Sequence, residues 1–152
     1  MPSQSPLILV TGATGYVGGR LVPRLLEEGH AVRVMGRDTT RLQGRAWLSQ
    51  VEVMQGDVLD PETVTAVMQG VTHAYYLIHS MGNSGDFHDR DMQAAQNFGK
   101  SAETAGVEQI IYLGGLGDDK AELSDHLRSR QQTGDTLRES GVPVTEFRAA
   151  VI

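Results

Sequence analysis

Leu7-Ile8-Leu9-Val10-Thr11-Gly12-Ala13-Thr14-Gly15-Tyr16-Val17-Gly18 is the stretch on which the reading of this chain turns. Leu7 to Val10 form a short apolar β run, ended by the turn-forming residues 11–15. From residue 16 to residue 28, apolar side chains at 17, 21, 22, 25 and 26 recur with helical spacing, and Gly29 ends the pattern. Pro23 costs that helix its bond to the Gly19 carbonyl and predicts a local kink. The unit is a strand, a glycine turn and a helix.

Outward from it, apolar runs and helical stretches alternate along the chain. Residues 31–35 read as the second strand and residues 51–54 as the third. Asp60 is placed to cap a helix that starts at Pro61 and reaches about residue 68. Residues 74–78, Ala-Tyr-Tyr-Leu-Ile, form a fourth strand with almost no alternation, as expected when both faces are buried. A polar loop at 80–86 leads to a helix over 87–105, capped by Gly106. Residues 109–113 form the fifth strand, 123–139 a last helix, and 142–147 begin a sixth strand. Strands alternating with helices predict an α/β, doubly wound parallel sheet of the Rossmann type, about six strands with helices on both faces.

Composition narrows the function classes. A chain of 152 residues with 39% hydrophobic content can bury one core, and no solenoid repeat or linker divides it. With no cysteine, disulfides and thiolate metal sites are excluded. The net charge of −6 and the scattered basic residues argue against nucleic acid as a partner. No apolar run has the roughly 18 residues of a membrane span, and residues 1–6 lack the basic region of a signal peptide, so a cytoplasmic location is expected. Ending on Ala149-Ala150-Val151-Ile152, without a closing polar cap, the chain reads as a Rossmann domain over 1–152 whose C-terminal, substrate-side region is absent.

The glycine spacing has a chemical meaning at the edge of a first strand. Gly12 can make the tight turn, Gly15 lets backbone approach a pyrophosphate, and Gly18 lets the helix lie close to the sheet. Free N–H groups and the positive end of the helix dipole then attract phosphates. The expected ligand is a dinucleotide, NAD(P). NAD sites usually carry a carboxylate at the end of the second strand, about 20 residues past the glycines. Here Met35-Gly36-Arg37-Asp38 has no acid at the strand end, and Arg37 could fork onto a ribose 2′-phosphate with Arg41 as a second contact. NADP(H) is therefore favoured over NAD(H); in the alternative, Arg37 is solvated and Asp38 turns in to the ribose. In Gly56-Asp57-Val58, Asp57 could accept from the adenine amino group or cap the following turn.

Gly12-x-x-Gly15-x-x-Gly18, Arg37 and Gly56-Asp57 resemble the short-chain dehydrogenase/reductase superfamily, in its extended and atypical branches. Residues 75–80 (Tyr-Tyr-Leu-Ile-His-Ser), 110–116 (Ile-Ile-Tyr-Leu-Gly-Gly-Leu) and 126–130 (His-Leu-Arg-Ser-Arg) are similar to the NmrA-like and sugar-nucleotide-epimerase-like members. The resemblance implies cofactor contacts from Thr11, Gly12, Ala13, Thr14, Gly15, Tyr16, Val17, Gly18, Arg37, Asp57, Val58, Ile78, His79 and Gly114. It also implies hydride chemistry on an unknown small molecule. Active members of that superfamily use a Tyr-x-x-x-Lys pair and a Ser after the fifth strand. Neither Lys100 nor Lys120 has a tyrosine four residues earlier, and Gly114-Gly115 stands where the Ser would be. His126 and Arg130 occupy the corresponding helical positions and share a face. His126 could move a proton, with Arg130 on a ribose or phosphate. They are the candidate catalytic residues; the competing expectation is a non-catalytic NADP(H)-binding sensor or scaffold module.

Four further features carry expectations of their own. His79 could meet the nicotinamide ribose or merely end its strand, and Asn97 could hold a water or a backbone carbonyl near the ring. Asp86, His88, Asp89 and Asp91 cluster, but their spacing fits no compact ligand set and no metal is expected. Residues 81–85 read as a flap over the cofactor.

Overall fold

The computed structural model describes residues 5–78, 86–116 and 124–150. Six strands, β1 (Leu7–Thr11), β2 (Ala31–Gly36), β3 (Glu52–Gln55), β4 (His73–Tyr76), β5 (Gln109–Gly115) and β6 (Val144–Ala149), alternate with helices. The helices are α1 (Tyr16–Glu27), α2 (Pro61–Val67), α3 (Asp86–Ala105) and α4 (Asp125–Glu139). Between β2 and β3 the chain makes two short 3-10 turns, Thr39–Leu42 and Leu48–Gln50, in place of a helix. The expected elements are present with ends moved by a few residues. α1 runs through Pro23 without interruption. Asp60 caps α2 as expected, its Oδ1 accepting from the Glu62 N–H at 3.1 Å.

All strands are parallel, in the order β3-β2-β1-β4-β5-β6. This is the doubly wound order. The winding reverses between β1 and β4, which leaves a crevice at their carboxyl ends, where ligands bind in such sheets. Side chains alternate across the sheet. Leu9, Met35, Ala74, Tyr76, Ile110 and Tyr112 pack under α2, α3 and α4, with Tyr76 edge-on to Phe98 at 4.8 Å between ring centres. Ile8, Val10, Val32 and Val34 pack on the other face against α1 and the 3-10 segment, with Leu42 and Trp47 buried there.

β4 differs from its sequence reading. Burial alternates along it, with Ala74 and Tyr76 buried but Tyr75 only half-buried. The cause is uneven cover: among the described residues α1 is the one helix on that face. Beside it, Val17, Leu21, Tyr75, Leu77, Ile111, Leu113 and Phe147 line an apolar hollow of about 200 Å³.

Arg33 ties the outer half of the sheet to α2. Its side chain is 10% exposed, and Nη1 donates to the Val67 and Gln69 carbonyls at 2.6 and 2.7 Å. Those carbonyls belong to the last turn of α2 and its exit, where a cation also meets the negative dipole end. Nε donates to Glu52 at 2.9 Å, but Glu52 is more than half exposed. Urea unfolding of Arg33→Leu should therefore show a loss of about 1–3 kcal/mol, chiefly from the buried Val67 carbonyl left unpaired. Glu52→Gln should lose less than about 1 kcal/mol, as a solvated ion pair does.

Candidate active site: the glycine loop and the carboxyl edge of the sheet

The loop leaving β1 is shaped by contacts that no side chain could occupy. Gly12 has φ +77°, and a Cβ there would lie 2.8 Å from the Leu77 carbonyl oxygen. At Gly18 a Cβ would fall 2.2 Å from the Gly12 oxygen, so the first turn of α1 rests directly on the loop backbone. The Gly15 N–H donates back to the Gly12 oxygen at 3.1 Å. Gly15 itself is the N-cap, extended and exposed, and supplies no capping side chain.

That open end separates α1 from its neighbours. Asp60 and Ser124 cap α2 and α4 through side-chain oxygens, whereas α1 has neither a side-chain cap nor an acid in its first turn. The first helical bond joins the Gly19 N–H to the Gly15 oxygen, so the N–H groups of Tyr16, Val17 and Gly18 point out of the helix. Together with the dipole they form a receptor for an anion. An open helix N-terminus of this kind is suited to a phosphate-bearing ligand.

Around it, the expected residues take distinct parts. Thr11 is fully buried, and its hydroxyl donates to the Tyr75 carbonyl at 2.7 Å and accepts from the Leu77 N–H at 3.4 Å. It holds the loop by joining β1 to β4. Ala13 is buried and Thr14 half-buried. Tyr16 is 63% exposed, with the Arg20 guanidinium stacked 3.6 Å from its ring centre. The Val17 side chain turns down into the apolar hollow. Arg45, which sequence reading passed over, donates from Nη2 to the Thr14 carbonyl at 3.1 Å. Nothing local signals that contact, because 31 residues separate the two.

At the end of β2, Arg37 and Arg41 are exposed. The Asp38 carboxylate is engaged in its own turn, accepting from the Thr40 N–H at 3.1 Å and from the Thr40 hydroxyl at 2.5 Å. Those two bonds, with a smaller contribution from Arg41, hold its pKa below the usual value. After β3, the Asp57 Oδ1 accepts from the Leu59 N–H at 2.9 Å, which is the turn-capping role. Asn97 of α3 fixes the same loop, donating to the Val58 carbonyl at 2.9 Å while Gln93 orients its amide. Val58 is buried, and Ile78 packs half-buried against the core. His79 lies outside the described residues, as do 80–85.

The far side of the crevice is made by β5 and α4. A Cβ on Gly115 would meet Leu127 at 2.6 Å and the Arg130 side chain at 3.5 Å, so Arg130 reaches the carboxyl end of β5. The backbone places His126 on the first turn of α4, one turn before Arg130; the His126 side chain lies outside the described residues. Gly114 meets a different part of the wall. Its Cβ position is 2.8 Å from Glu146 Oε1, under α4, where Arg138 and Arg148 donate to Oε2 at 3.1 and 2.8 Å. Tyr112 donates to the Arg130 carbonyl at 2.7 Å. Burial holds the phenols of Tyr76 and Tyr112 neutral, far above their ordinary pKa, so neither is a ready proton donor. Asp91 accepts from Ser129 at 3.1 Å, and among the described residues no three acids or histidines converge on a point. No described helix is long and apolar enough to cross a membrane.

Residues 12–152 match the family described as NAD(P)H-binding. The chain belongs to that family. This NAD(P)H-binding chain is 34% identical over 143 residues to (4-alkanoyl-5-oxo-2,5-dihydrofuran-3-yl)methyl phosphate reductase of Streptomyces griseus, covering 93% of the chain and 46% of that protein. It is 31% identical over 115 residues to a 3 beta-hydroxysteroid dehydrogenase/Delta 5-->4-isomerase of Mycobacterium tuberculosis, covering 69% of the chain and 30% of the relative. Among solved structures, triphenylmethane reductase of Citrobacter sp. complexed with NADP(H) superposes with TM-score 0.79 at 28% identity, over 95% of this chain and 49% of that one. The NADPH complex of the quinone oxidoreductase QOR2 from Escherichia coli gives 0.77 at 27%, over 93% and 48%. The chain thus spans half or less of the length of these relatives. A nicotinamide dinucleotide is its cofactor, held on a Rossmann sheet like those of atypical short-chain reductases and epimerases.

Gly18→Ala tests the cradle directly. With backbone oxygen 2.2 Å from the new carbon, the helix must lift off the loop. Calorimetric titration should find NADPH binding weakened at least about tenfold, or roughly 1.4 kcal/mol.

Proposed function

We propose that this chain is the cofactor-holding part of an NADP(H)-dependent reductase of the atypical short-chain type. The observation that carries the reading is the division of labour at the end of β2. Arg37 and Arg41 are exposed at and just past the end of β2, while Asp38 caps its own turn through Oδ1. Both Thr40 bonds fall on Oδ1 of that carboxylate and tie it to its own turn, and an exposed guanidinium suits a 2′-phosphate. The uncapped end of α1 takes the pyrophosphate, and the 56–58 loop, pinned by Asn97, forms the adenine wall.

When bound, the reduced cofactor would supply a hydride. The residues at the carboxyl end of β5 then decide which acceptors can use it. No hydroxyl stands at Gly114 or Gly115, and burial raises the Tyr112 pKa, so neither position offers strong acid assistance to a carbonyl. Arg130 places a fixed positive charge over Gly115. Such a site suits an acceptor whose conjugation spreads incoming negative charge; His126, one turn before Arg130 in the chain, is the residue proposed to deliver a proton afterwards. Triphenylmethane dyes and quinones, after which two structural relatives are named, are acceptors of that kind. The absent hydroxyl also favours a second reading, a module that binds NADP(H) without turning it over.

Titration with NADPH, NADP, NADH and NAD in parallel is the test. The phosphorylated pair should bind more tightly. Arg37→Ala should weaken NADPH by about 10- to 100-fold, the value of one charge-assisted contact, and leave NADH within about twofold. Equal affinities would sink the 2′-phosphate assignment; no binding by any of the four would sink the whole reading. Oxidation of NADPH by a quinone, lost in His126→Ala with binding intact, separates the enzyme from the sensor.

A further inference from the structure

Arg45 belongs to the segment that follows the expected ribose reader, yet its side chain ends in the glycine loop. Its backbone is held on both sides: the Arg45 N–H donates to the Leu42 carbonyl, and the Leu48 N–H donates to the Arg45 carbonyl. The neighbours on either side, Leu42 and Trp47, are buried in the core against α1. From this anchored base the guanidinium crosses to α1, where Nη1 lies 2.9 Å from the point a Cβ on Gly19 would occupy. Nη2 donates to the Thr14 carbonyl.

That last bond completes a pair. The peptide joining Thr14 to Gly15 has its N–H fixed by the Gly12 oxygen and its carbonyl fixed by Arg45. Both ends of one peptide plane are therefore held, immediately before the open N–H groups of Tyr16, Val17 and Gly18. A loop clamped in this way does not have to be ordered when an anion arrives, and preorganisation of that kind appears as affinity. Gly19 lies outside the Gly12, Gly15, Gly18 set, and its missing side chain makes the passage through which Arg45 reaches the loop.

We propose that Arg45 is a positioning residue for the dinucleotide pyrophosphate, clamping the Thr14–Gly15 peptide from the segment that also carries the 2′-phosphate reader. This rests on the NADP(H) reading above. It separates from that reading because Arg37 acts on one phosphate of one cofactor, whereas Arg45 acts on the pyrophosphate that both cofactors share.

The experiment compares NADPH and NADH dissociation constants, with melting temperatures, for the wild-type chain, Arg37→Ala, Arg45→Met, Arg45→Lys and Gly19→Ala. In Arg45→Met both constants should rise by about fivefold or more with their ratio preserved, whereas Arg37→Ala collapses that ratio. Arg45→Lys keeps the charge without the fork and should stay weakened by at least about threefold. Gly19→Ala removes a helix glycine, so it should melt no lower than wild type while binding both cofactors more weakly, by displacing Arg45. In the Arg45→Met background it should weaken binding no further. Unchanged affinities in Arg45→Met, a collapsed NADPH/NADH ratio in that variant, full rescue by lysine, or additive effects of Gly19→Ala would each overturn the proposal. If the wild-type chain binds neither cofactor, the NADP(H) reading falls and this inference falls with it. If the wild type binds and Arg45→Met binds equally well, only the inference falls.

Discussion

Gly18 lies against the Gly12 carbonyl so closely that a single added carbon would sit 2.2 Å from the oxygen. The remainder of the site follows from that contact. It sets the first turn of α1 on the end of β1 and points its unpaired N–H groups at the crevice where the sheet reverses its winding. A side-chain cap on α1 would compete for those donors, and none is present. The helix end is left without a side-chain partner, and a helix end of that kind is suited to an anion such as phosphate.

The surroundings hold this arrangement from three sides. From β4, the Tyr75 carbonyl and the Leu77 N–H take the Thr11 hydroxyl. From the segment between β2 and β3, Arg45 takes the Thr14 carbonyl. From α3, Asn97 holds the 56–58 loop by the Val58 carbonyl. Each is a polar side chain, at least partly buried, bonded to loop backbone, and none of them needs to touch the ligand. A preorganised site of this type concentrates its rigidity in the supporting shell and leaves the contact surface open. The opposite wall is built on different terms: Gly115 lies beneath Leu127 and Arg130, and Gly114 makes room for a carboxylate held by two arginines under α4.

Much of this was legible in the residues. Gly12, Gly15 and Gly18 marked the tight loop between β1 and α1, because their spacing after an apolar strand answers a local steric demand. Asp60 and Pro61 announced the start of α2 for the same reason: caps act within one turn. The acid-free strand end at Arg37 was visible, but the engagement of Asp38 with Thr40 was not weighed, since Asp38 could also be read as a ribose acceptor. The expected burial of β4 on both faces failed at Tyr75. A strand's composition reports what it could bury; whether a helix lies over that face is a matter of topology.

By itself, then, the sequence determined the order of strands and helices and the position of the glycine loop, since hydrophobic period and glycine spacing act over a few residues. Tertiary structure alone decided which partners meet. Thr11 finds Tyr75 across 64 residues, Asn97 finds Val58 across 39, and Arg45 finds Thr14 across 31. Parallel strands must be joined by long crossovers, so each strand's neighbours in space come from distant parts of the chain. No local pattern encodes such pairings, and the supporting shell of the site consists of them.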